Sequence, residues 1–446
     1  MKRVFTSVVG LLLSFTFVSA AYAGGIDNKT NWSAEWVRTL NRNAATDYAD
    51  IAMYNPAGTV KLHEGFTING SLQWGKKEYT NNVALPAALP YTGCTKCESD
   101  EPSYIPGIFG IYNNSKWSLF GAFSNVAGGG EVDFEQGSFT TIGAQLKLRK
   151  YDEILNPPPP STLIPGPTQQ INGESFYLGY TLGGAYALND IFSFSVGLRY
   201  VDASRELDGS GAMIDLADPG NPIPFAINAE ENGDGWGGIF GINIAPNDKL
   251  NIGMRYETKT KIDLKAEVKE DTTIIVPVPG VGPVPIGLLD HLQGISDGES
   301  RPRDLPATLG LGISYWLTPK LRTEANLTYY FNEDADWGGD ENDADNGYDV
   351  GITFEYLFND KLTGSIGYMY TKYGMDDPAD MLPENPELDL NTIGAGIAYA
   401  FNEQFITNLS IANSFYIDDD FSPGPGITVE YEKNILFFSA GIEYRF

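Results

Sequence analysis

The side chains that carry most enzyme chemistry are scarce in this sequence. Among 446 residues there are two His and two Cys. His63 and His291 stand without a nucleophile motif beside either, so neither completes a hydrolase site with a serine. Cys94 and Cys97 form a Cys-x-x-Cys in a polar, proline-flanked segment. Two sulfurs with no His nearby do not complete a zinc site, and a thioredoxin-like redox pair needs a βαβ frame that is missing. A local disulfide stapling a loop is the expectation. The run Glu333, Asp334, Asp336, Asp340, Glu341, Asp343, Asp345 and Asp349 invites a calcium reading, but its spacing is not that of an EF-hand. A solvated acidic segment fits it better. The chain reads as neither an enzyme nor a holder of metal or cofactor.

Two other groups suit binding. Arg199 and Arg255 each sit on the polar face of an alternating segment, and a guanidinium holds a carboxylate through two hydrogen bonds. The competing reading is an internal ion network with Glu257, Glu324, Glu355 and Glu443. Between Asp271 and Ile295 the apolar residues Ile274, Ile275, Val276, Val278, Val281, Val284, Ile286, Leu288 and Leu289 are interleaved with prolines and glycines. Burying each such side chain gains roughly 1.5–3 kcal/mol, so this stretch should not lie open to water. It reads either as a lid that packs on an apolar ligand or as a loop that packs only on its neighbours. The formal net charge of −29 excludes nucleic acid, since nothing here would neutralise phosphates.

The elements that position these residues are strands. Residues 1–23 look like a secretory leader: Lys2 and Arg3, an apolar stretch from Val4 to Val18, then Ala21-Tyr22-Ala23, with the mature chain starting at Gly24. That setting is oxidising, which favours the Cys94–Cys97 staple. Fifty Gly, 25 Tyr and 24 Phe suit many strands and tight turns. From residue 65 a period of two takes over. Phe192, Phe194, Val196, Leu198 and Tyr200 oppose Ser193, Ser195, Gly197 and Arg199. Leu250, Ile252, Met254 and Tyr256 oppose Asn251, Gly253, Arg255 and Glu257. A soluble sandwich also alternates, so this pattern alone does not decide.

The connections decide. Six are short, at 113–116, 189–190, 246–249, 318–320, 359–361 and 402–403; seven are long, around 80–102, 127–172, 203–228, 268–302, 332–347, 373–388 and 417–426. Six short and seven long links predict 14 strands in up-and-down order, the pattern of a bacterial outer-membrane β-barrel with short periplasmic turns and long outer loops. The last strand ends in Tyr444 and Phe446 on one face, and should pair with the first, because an open sheet edge leaves backbone groups unpaired in hydrocarbon. A strand closing on a terminal aromatic is similar to the signal read by the outer-membrane barrel assembly machinery.

Between leader and barrel, residues 24–64 belong to neither. Ala44, Ala45, Ala49 and Ala52 are small, and Asn55-Pro56-Ala57-Gly58 follows: Pro56 fixes its own φ and withholds a donor, while Gly58 permits close packing. A capped helix ending in a turn accounts for these residues; so does a compact plug. An Asn-Pro-Ala-Gly turn in this position resembles the hatch of FadL-type outer-membrane transporters of long-chain fatty acids and aromatic hydrocarbons. Leu305 to Tyr315, running into Pro319-Lys320-Leu321, is similar to the strand after that family's long fourth loop. Gly367-Tyr368-Met369-Tyr370, Met381-Leu382-Pro383 and Gly394 to Tyr399 are similar to its eleventh and twelfth strands. The family's usual Gly-x-Gly-Arg-Ala hatch opening is replaced by Leu40-Asn41-Arg42-Asn43-Ala44.

The resemblance implies an all-β, 14-stranded barrel over 65–446 with the hatch of 24–64 inside it. It implies passive transport of a hydrophobic small molecule, a long-chain fatty acid first among them, without a cofactor. Capture would fall to the outer loops, gating to Asn55, Pro56, Ala57 and Gly58, and release would be sideways through a gap at a kink in the third strand. Gly128 to Gly130 are expected just after that strand, near its outer end. Partners would be membrane lipid and lipopolysaccharide, with which the acidic loop could share divalent ions. A general diffusion porin for polar solutes and a structural or adhesive surface barrel are the competing readings.

Overall fold

The structure is a computed structural model that describes residues 31–87, 89, 91, 93–157, 161–375 and 377–446. The expected leader, and residues 24–30 of the hatch, lie outside the described residues.

Alternation makes the wall. Its strands are β1 (Gly65–Ala84), β2 (Pro102–Asn113), β3 (Trp117–Phe134), β4 (Leu163–Ala187), β5 (Phe192–Asp215), β6 (Ile223–Asn247) and β7 (Leu250–Glu257). They continue as β8 (Ala307–Thr318), β9 (Leu321–Phe331), β10 (Gly347–Asn359), β11 (Leu362–Lys372), β12 (Leu390–Ala400), β13 (Phe405–Tyr416) and β14 (Ile427–Arg445). Each pairs antiparallel with the next. β14 returns to β1 in unbroken register from Thr67↔Arg445 to Ala84↔Thr428. The backbone N–H of Phe446 donates to the Phe66 carbonyl at 2.8 Å, and the two rings lie 5.6 Å apart. The expected closed 14-stranded barrel is the fold.

The barrel is inside out relative to a soluble protein. On β4, Leu182 is 73% exposed while its neighbour Thr181 is 1% exposed. Phe194, Val196 and Leu198 of β5 face outward, and Ser193 is buried. A polar lumen and an apolar exterior are what a bilayer demands of a spanning sheet. Aromatic pairs gather near the short turns, among them Tyr356–Phe358 and Tyr399–Phe401, and Tyr200–Trp236 on the outer side, consistent with interfacial girdles.

The short turns fall where the sequence places them. The long links differ: much of 127–172 and 203–228 is strand, not loop. β4, β5 and β6 are 25, 24 and 25 residues long, whereas a crossing takes roughly 9–11. Their outer halves stand clear of the bilayer and carry polar residues on both faces. Helices α1 (Ala34–Thr39) and α2 (Ile51–Tyr54) lie inside the barrel, and α3 (Phe139–Leu155) and α4 (Leu288–Gln293) cap its outer mouth. No helix among the described residues is long and apolar enough to cross a membrane.

Candidate functional site: hatch, wall break and vestibule

The plug is built from short pieces, each capped locally and tied outward. Ser33 Oγ accepts from the Trp36 N–H to start α1 and donates to Asp50 Oδ2 at 2.7 Å. Leu40 ends the helix at φ 58°. Arg42 then pairs with Asp47 and Asp50 at 2.6 and 2.5 Å, all within the plug. Outward, Glu35 accepts from Asn69 of β1 and Asn408 of β13, and Arg38 pairs with Glu355 of β10 at 2.5 Å. The Ala44 and Ala49 N–H groups donate to Glu324 of β9 and Glu443 of β14. The wall makes room with glycine: a Cβ on Gly253 would sit 1.9 Å from the Asn43 carbonyl, and one on Gly367 2.1 Å from the Thr39 carbonyl.

The Asn-Pro-Ala-Gly turn opens a 3₁₀ helix, Pro56–Lys61, with Pro56 at its first position, where a missing N–H costs nothing. Asn55, fully buried, donates through Nδ2 to the Ala45 carbonyl at 2.9 Å and to Asn243 Oδ1 of β6 at 2.8 Å. Ser193 of β5 donates to the Ala57 carbonyl. A Cβ on Gly58 would lie 2.5 Å from the Asn55 amide, so the glycine lets that amide fold back. Asn55 and the Ala57 carbonyl thus tie the plug to β6 and β5, and Pro56 and Gly58 shape the turn that presents them.

Arg199 and Arg255 face the lumen, and both are occupied. Arg199 grips Glu257 through Nη1 and Nη2 at 2.5 and 3.2 Å. Arg255 lies 3.2 Å from the same carboxylate and donates to the Met53 carbonyl. Their guanidinium carbons sit 5.5 and 5.3 Å from the Trp32 ring. A ligand carboxylate would have to displace Glu257 to reach either one.

Beside Trp32 the wall is interrupted. β2 and β3 pair from Asn113↔Ser118 to Gly107↔Ser124 and no farther, although β3 runs to Phe134. Beyond Ser124, β3 follows β4 alone, with register shifts at Asn125/Ala127 and Ala127/Gly130. Gly128 and Gly130 have φ of 88° and 76°, a region open to glycine at no steric cost. The three glycines therefore lie within the strand, at its bulge, not after it as the sequence suggested. Side chains bridge the interruption. Lys77 Nζ, from β1, donates to the Gly129 carbonyl at 3.0 Å and to the Glu131 carbonyl. Ser103 Oγ donates to the Gly129 carbonyl at 3.1 Å.

Gly128, Gly129 and Gly130 border two spaces. On the outer, inward side is a cavity of about 110 Å³, lined by Ala127, Val132, Leu207, Ala229, Ile295 and Leu382 together with charged side chains. On the wall side is a space of about 20 Å³ bordered by Ser103, Tyr104, Ile105 and Phe176. The larger cavity is roofed by the 381–387 loop, which Asn81 and Lys433 hold through Pro383 and Asn385. Glu384 is buried in that roof, accepts from Ser138 Oγ at the start of α3, and has its carboxyl pushed up by burial.

The apolar stretch after Asp271 forms a hairpin, Thr273–Val278 with Gly282–Gly287, then α4. Ile274, Leu288 and Leu289 are buried in packing; Ile275 and Val281 are exposed; Val276, Val278, Val284 and Ile286 lie between. The nine lie apart from the cavity; the same loop reaches it through Gln293 and Ile295 instead. Tyr151 of α3 and His291 Nε2 of α4 share a 2.6 Å hydrogen bond that joins the two caps. Burial and Lys147 hold the His291 imidazole below its usual value, and burial lowers Lys147 to about 8. Cys94 and Cys97 are disulfide-bonded. Among the described residues, no cluster of three or more His, Cys, Asp or Glu is placed to hold a metal ion.

A closed 14-stranded barrel, plugged by its own N-terminal segment and broken in one wall, is an outer-membrane β-barrel of hatched type. Its fold is that of the FadL-type transporters. A Pseudomonas aeruginosa FadL homologue superposes with a TM-score of 0.66 at 13% identity, over 95% of this chain and 99% of that one. The Pseudomonas putida toluene transporter TodX gives 0.62 at 14% over 97% and 100%. The Ralstonia pickettii toluene transporter TbuX gives 0.56 at 15% over 98% and 99%. Residues 306–419 match a family described as a putative MetA-pathway of phenol degradation. Compared by sequence with curated proteins, the chain has no match.

Sequence reasoning missed Lys77, Arg38 and Arg42. Lys77 carries a signal in its position, since it shares the inward face of β1 with Gln73 and Tyr79, where a charge needs a partner.

Proposed function

We propose that this chain carries hydrophobic small molecules passively across the outer membrane. A molecule enters the cavity under the outer loops, passes the Gly128–Gly130 bulge, and leaves sideways through the interrupted β2–β3 wall, with the Asn55–Gly58 turn holding the hatch that gates the step. The observation that carries this reading is the placement of the two spaces on either side of one bulge, at the point where wall pairing stops. Apolar lining suits capture by desolvation, and lateral exit spares the solute the polar lumen. Long-chain fatty acids and aromatic hydrocarbons are the candidate classes, and toluene is the named substrate of two of the similar structures. A cavity of about 110 Å³ is nearer to one ring than to a whole acyl chain, since an apolar cavity of about 150 Å³ takes up benzene. The exposed Ile275 and Val281 of the hairpin would offer a first apolar contact.

The test is uptake of labelled toluene, labelled oleate and a labelled disaccharide by cells lacking their own transporter and expressing this chain. Entry of either apolar solute without the disaccharide supports the reading. Entry of the disaccharide alone would mean an open porin.

A further inference from the structure

The vestibule cavity is apolar over most of its surface, yet its polar groups are unusual in number and pairing. Gln293, at the end of α4, is 7% exposed, and its Oε1 is buried without a hydrogen-bond partner. Arg205 Nη1, from β5, is likewise buried without a hydrogen bond; its closest carboxylate oxygen, Glu231 Oε2, is 3.7 Å away. Glu231 is already satisfied by Arg301, at 2.5 and 2.6 Å through two parallel contacts. One wall of the cavity thus offers an amide oxygen without a partner and a guanidinium N–H whose long ion pair with Glu231 leaves it without a hydrogen bond. Buried polar groups are nearly always paired, so two orphans lining one cavity point to a ligand that pairs them.

The charge of the lining limits what that ligand is. Arg205 and Arg301 are the cations; Glu174, Glu206, Glu231, Glu384 and Glu387 are the acids. Even with Glu384 neutral, since burial raises its proton affinity, four acids face two guanidinium groups. An anionic head group would meet like charge in a poorly solvated site. A bare hydrocarbon escapes that repulsion but strips the hydration from Gln293 and Arg205 without replacing it. A hydroxyl answers both. It accepts from the guanidinium and donates to the amide oxygen, and works equally with the amide turned round, because it is donor and acceptor at once.

We infer that this cavity selects uncharged, hydroxyl-bearing single rings, molecules of phenol type, over bare aromatic hydrocarbons and over carboxylates. The inference rests on the reading of the cavity as the capture site and adds its polar specificity. It places Gln293 and Arg205 as the residues that recognise the hydroxyl.

The test compares three ligands of one shape, toluene, 4-methylphenol and 4-methylbenzoate, titrated calorimetrically into the full chain in lipid nanodiscs at pH 7.5, with empty nanodiscs subtracted. A phenol hydroxyl, with pKa about 10 as in tyrosine, is neutral there. We expect 4-methylphenol to bind about tenfold tighter than toluene, which corresponds to about 1.4 kcal/mol, and 4-methylbenzoate to bind weakest. Gln293→Leu and, separately, Arg205→Met should bring the phenol-to-toluene ratio toward one, in barrels whose folding is confirmed by heat-modifiable electrophoretic mobility. Equal affinity for toluene and 4-methylphenol, or a preference that survives both substitutions, overturns the hydroxyl inference and leaves the hydrophobic capture site standing. Tightest binding of 4-methylbenzoate overturns it in favour of a carboxylate site. Binding of none of the three overturns the capture site itself, and this inference with it.

Discussion

Lys77→Met tests whether the wall break is a latched opening. Lys77 is buried, and its ammonium bonds the Gly129 and Glu131 carbonyls across the gap that β2 and β3 leave unpaired. Methionine keeps most of the length and apolar volume while removing both donors. Hydrogen bonds from a charged group contribute about 1.5–3 kcal/mol each. Ser103 still donates to the Gly129 carbonyl at 3.1 Å, so part of the loss is made good. We take about 2 kcal/mol as the change in opening free energy, or roughly a 30-fold rise in the open population. Hydrogen exchange of amides 125–132 reads this directly, and uptake of labelled toluene reads its consequence where exit limits the rate. Lys76→Met is the control: the Lys76 side chain points outward and pairs with Glu78, so both readouts should stay as in the parent. Unchanged exchange over 125–132 in the Lys77→Met barrel would refute the latch. So would an equal rise over a distant wall segment such as 308–315, which would mean general loosening.

Other perturbations address the hatch and the cap. Asn55→Ala with Pro56→Gly removes both Nδ2 bonds and frees the φ of the turn. Two unmade bonds in a buried site cost about 1–3 kcal/mol each, so exchange over 42–60 should quicken and toluene uptake fall; unaltered uptake in a correctly inserted barrel would sink the gate assignment. Arg42→Met leaves Asp50 buried and unpaired, a loss of about 3–5 kcal/mol, and single-channel recordings should then show ion-conducting steps; a silent membrane would refute a hatch held by that pair. The outer cap should respond to pH. His291 has a lowered value in the packed state, so the unpacked loop binds the proton more readily and packing weakens as pH falls through about 6.5. Lys147, lowered to about 8, acts in the same direction at higher pH, packing growing firmer between about 8 and 10.4. Exchange of α3 amides, corrected for intrinsic rates, should therefore accelerate below about pH 6.5; a flat corrected profile would refute it.

The barrel was legible because a bilayer enforces period two wherever a strand crosses it. Phe192 to Tyr200 alternates cleanly for that reason, and the six short turns fall where the alternation breaks. Outside the bilayer the constraint lapses. The outer halves of β5 and β6 carry Asp208, Ser210 and Glu230 on the outward face and bury Ala203, Ile227 and Ala229 inward, the reverse of the bilayer pattern, so paired strand reads as loop. Gly128-Gly129-Gly130 looked like a strand end because glycine runs usually are; here the backbone continues, bulged, with only one neighbour. The sequence places Gly253 and Gly367 on strands without showing their use: each makes space for a plug carbonyl, of Asn43 and Thr39, that lies more than two hundred residues away in the chain. The vestibule was hidden for the same reason: Arg205, Gln293 and Glu384 come from three separate segments, and only closure of the barrel brings them to one cavity.

The hatch is held in a way that suits a gate. Its ties to the wall include many hydrogen bonds and ion pairs, such as Arg38 with Glu355, Ala49 with Glu443 and Asn55 with Asn243, beside an apolar contact of Trp32, Trp36, Leu40 and Met53 with the wall's core. Polar ties fix position sharply, because each needs its own geometry. They lock weakly, because water can stand in for either partner, and a buried ion pair contributes little net stability once its desolvation is counted. An apolar plug of the same size would resist displacement by the full transfer free energy of its surface. The chain instead puts most of its apolar side chains on the lipid face and around the vestibule, and gives the plug polar ties around a small apolar core of Trp32, Trp36, Leu40 and Met53. Order with limited locking follows from that division, and it is what the proposed gating of a small neutral solute requires.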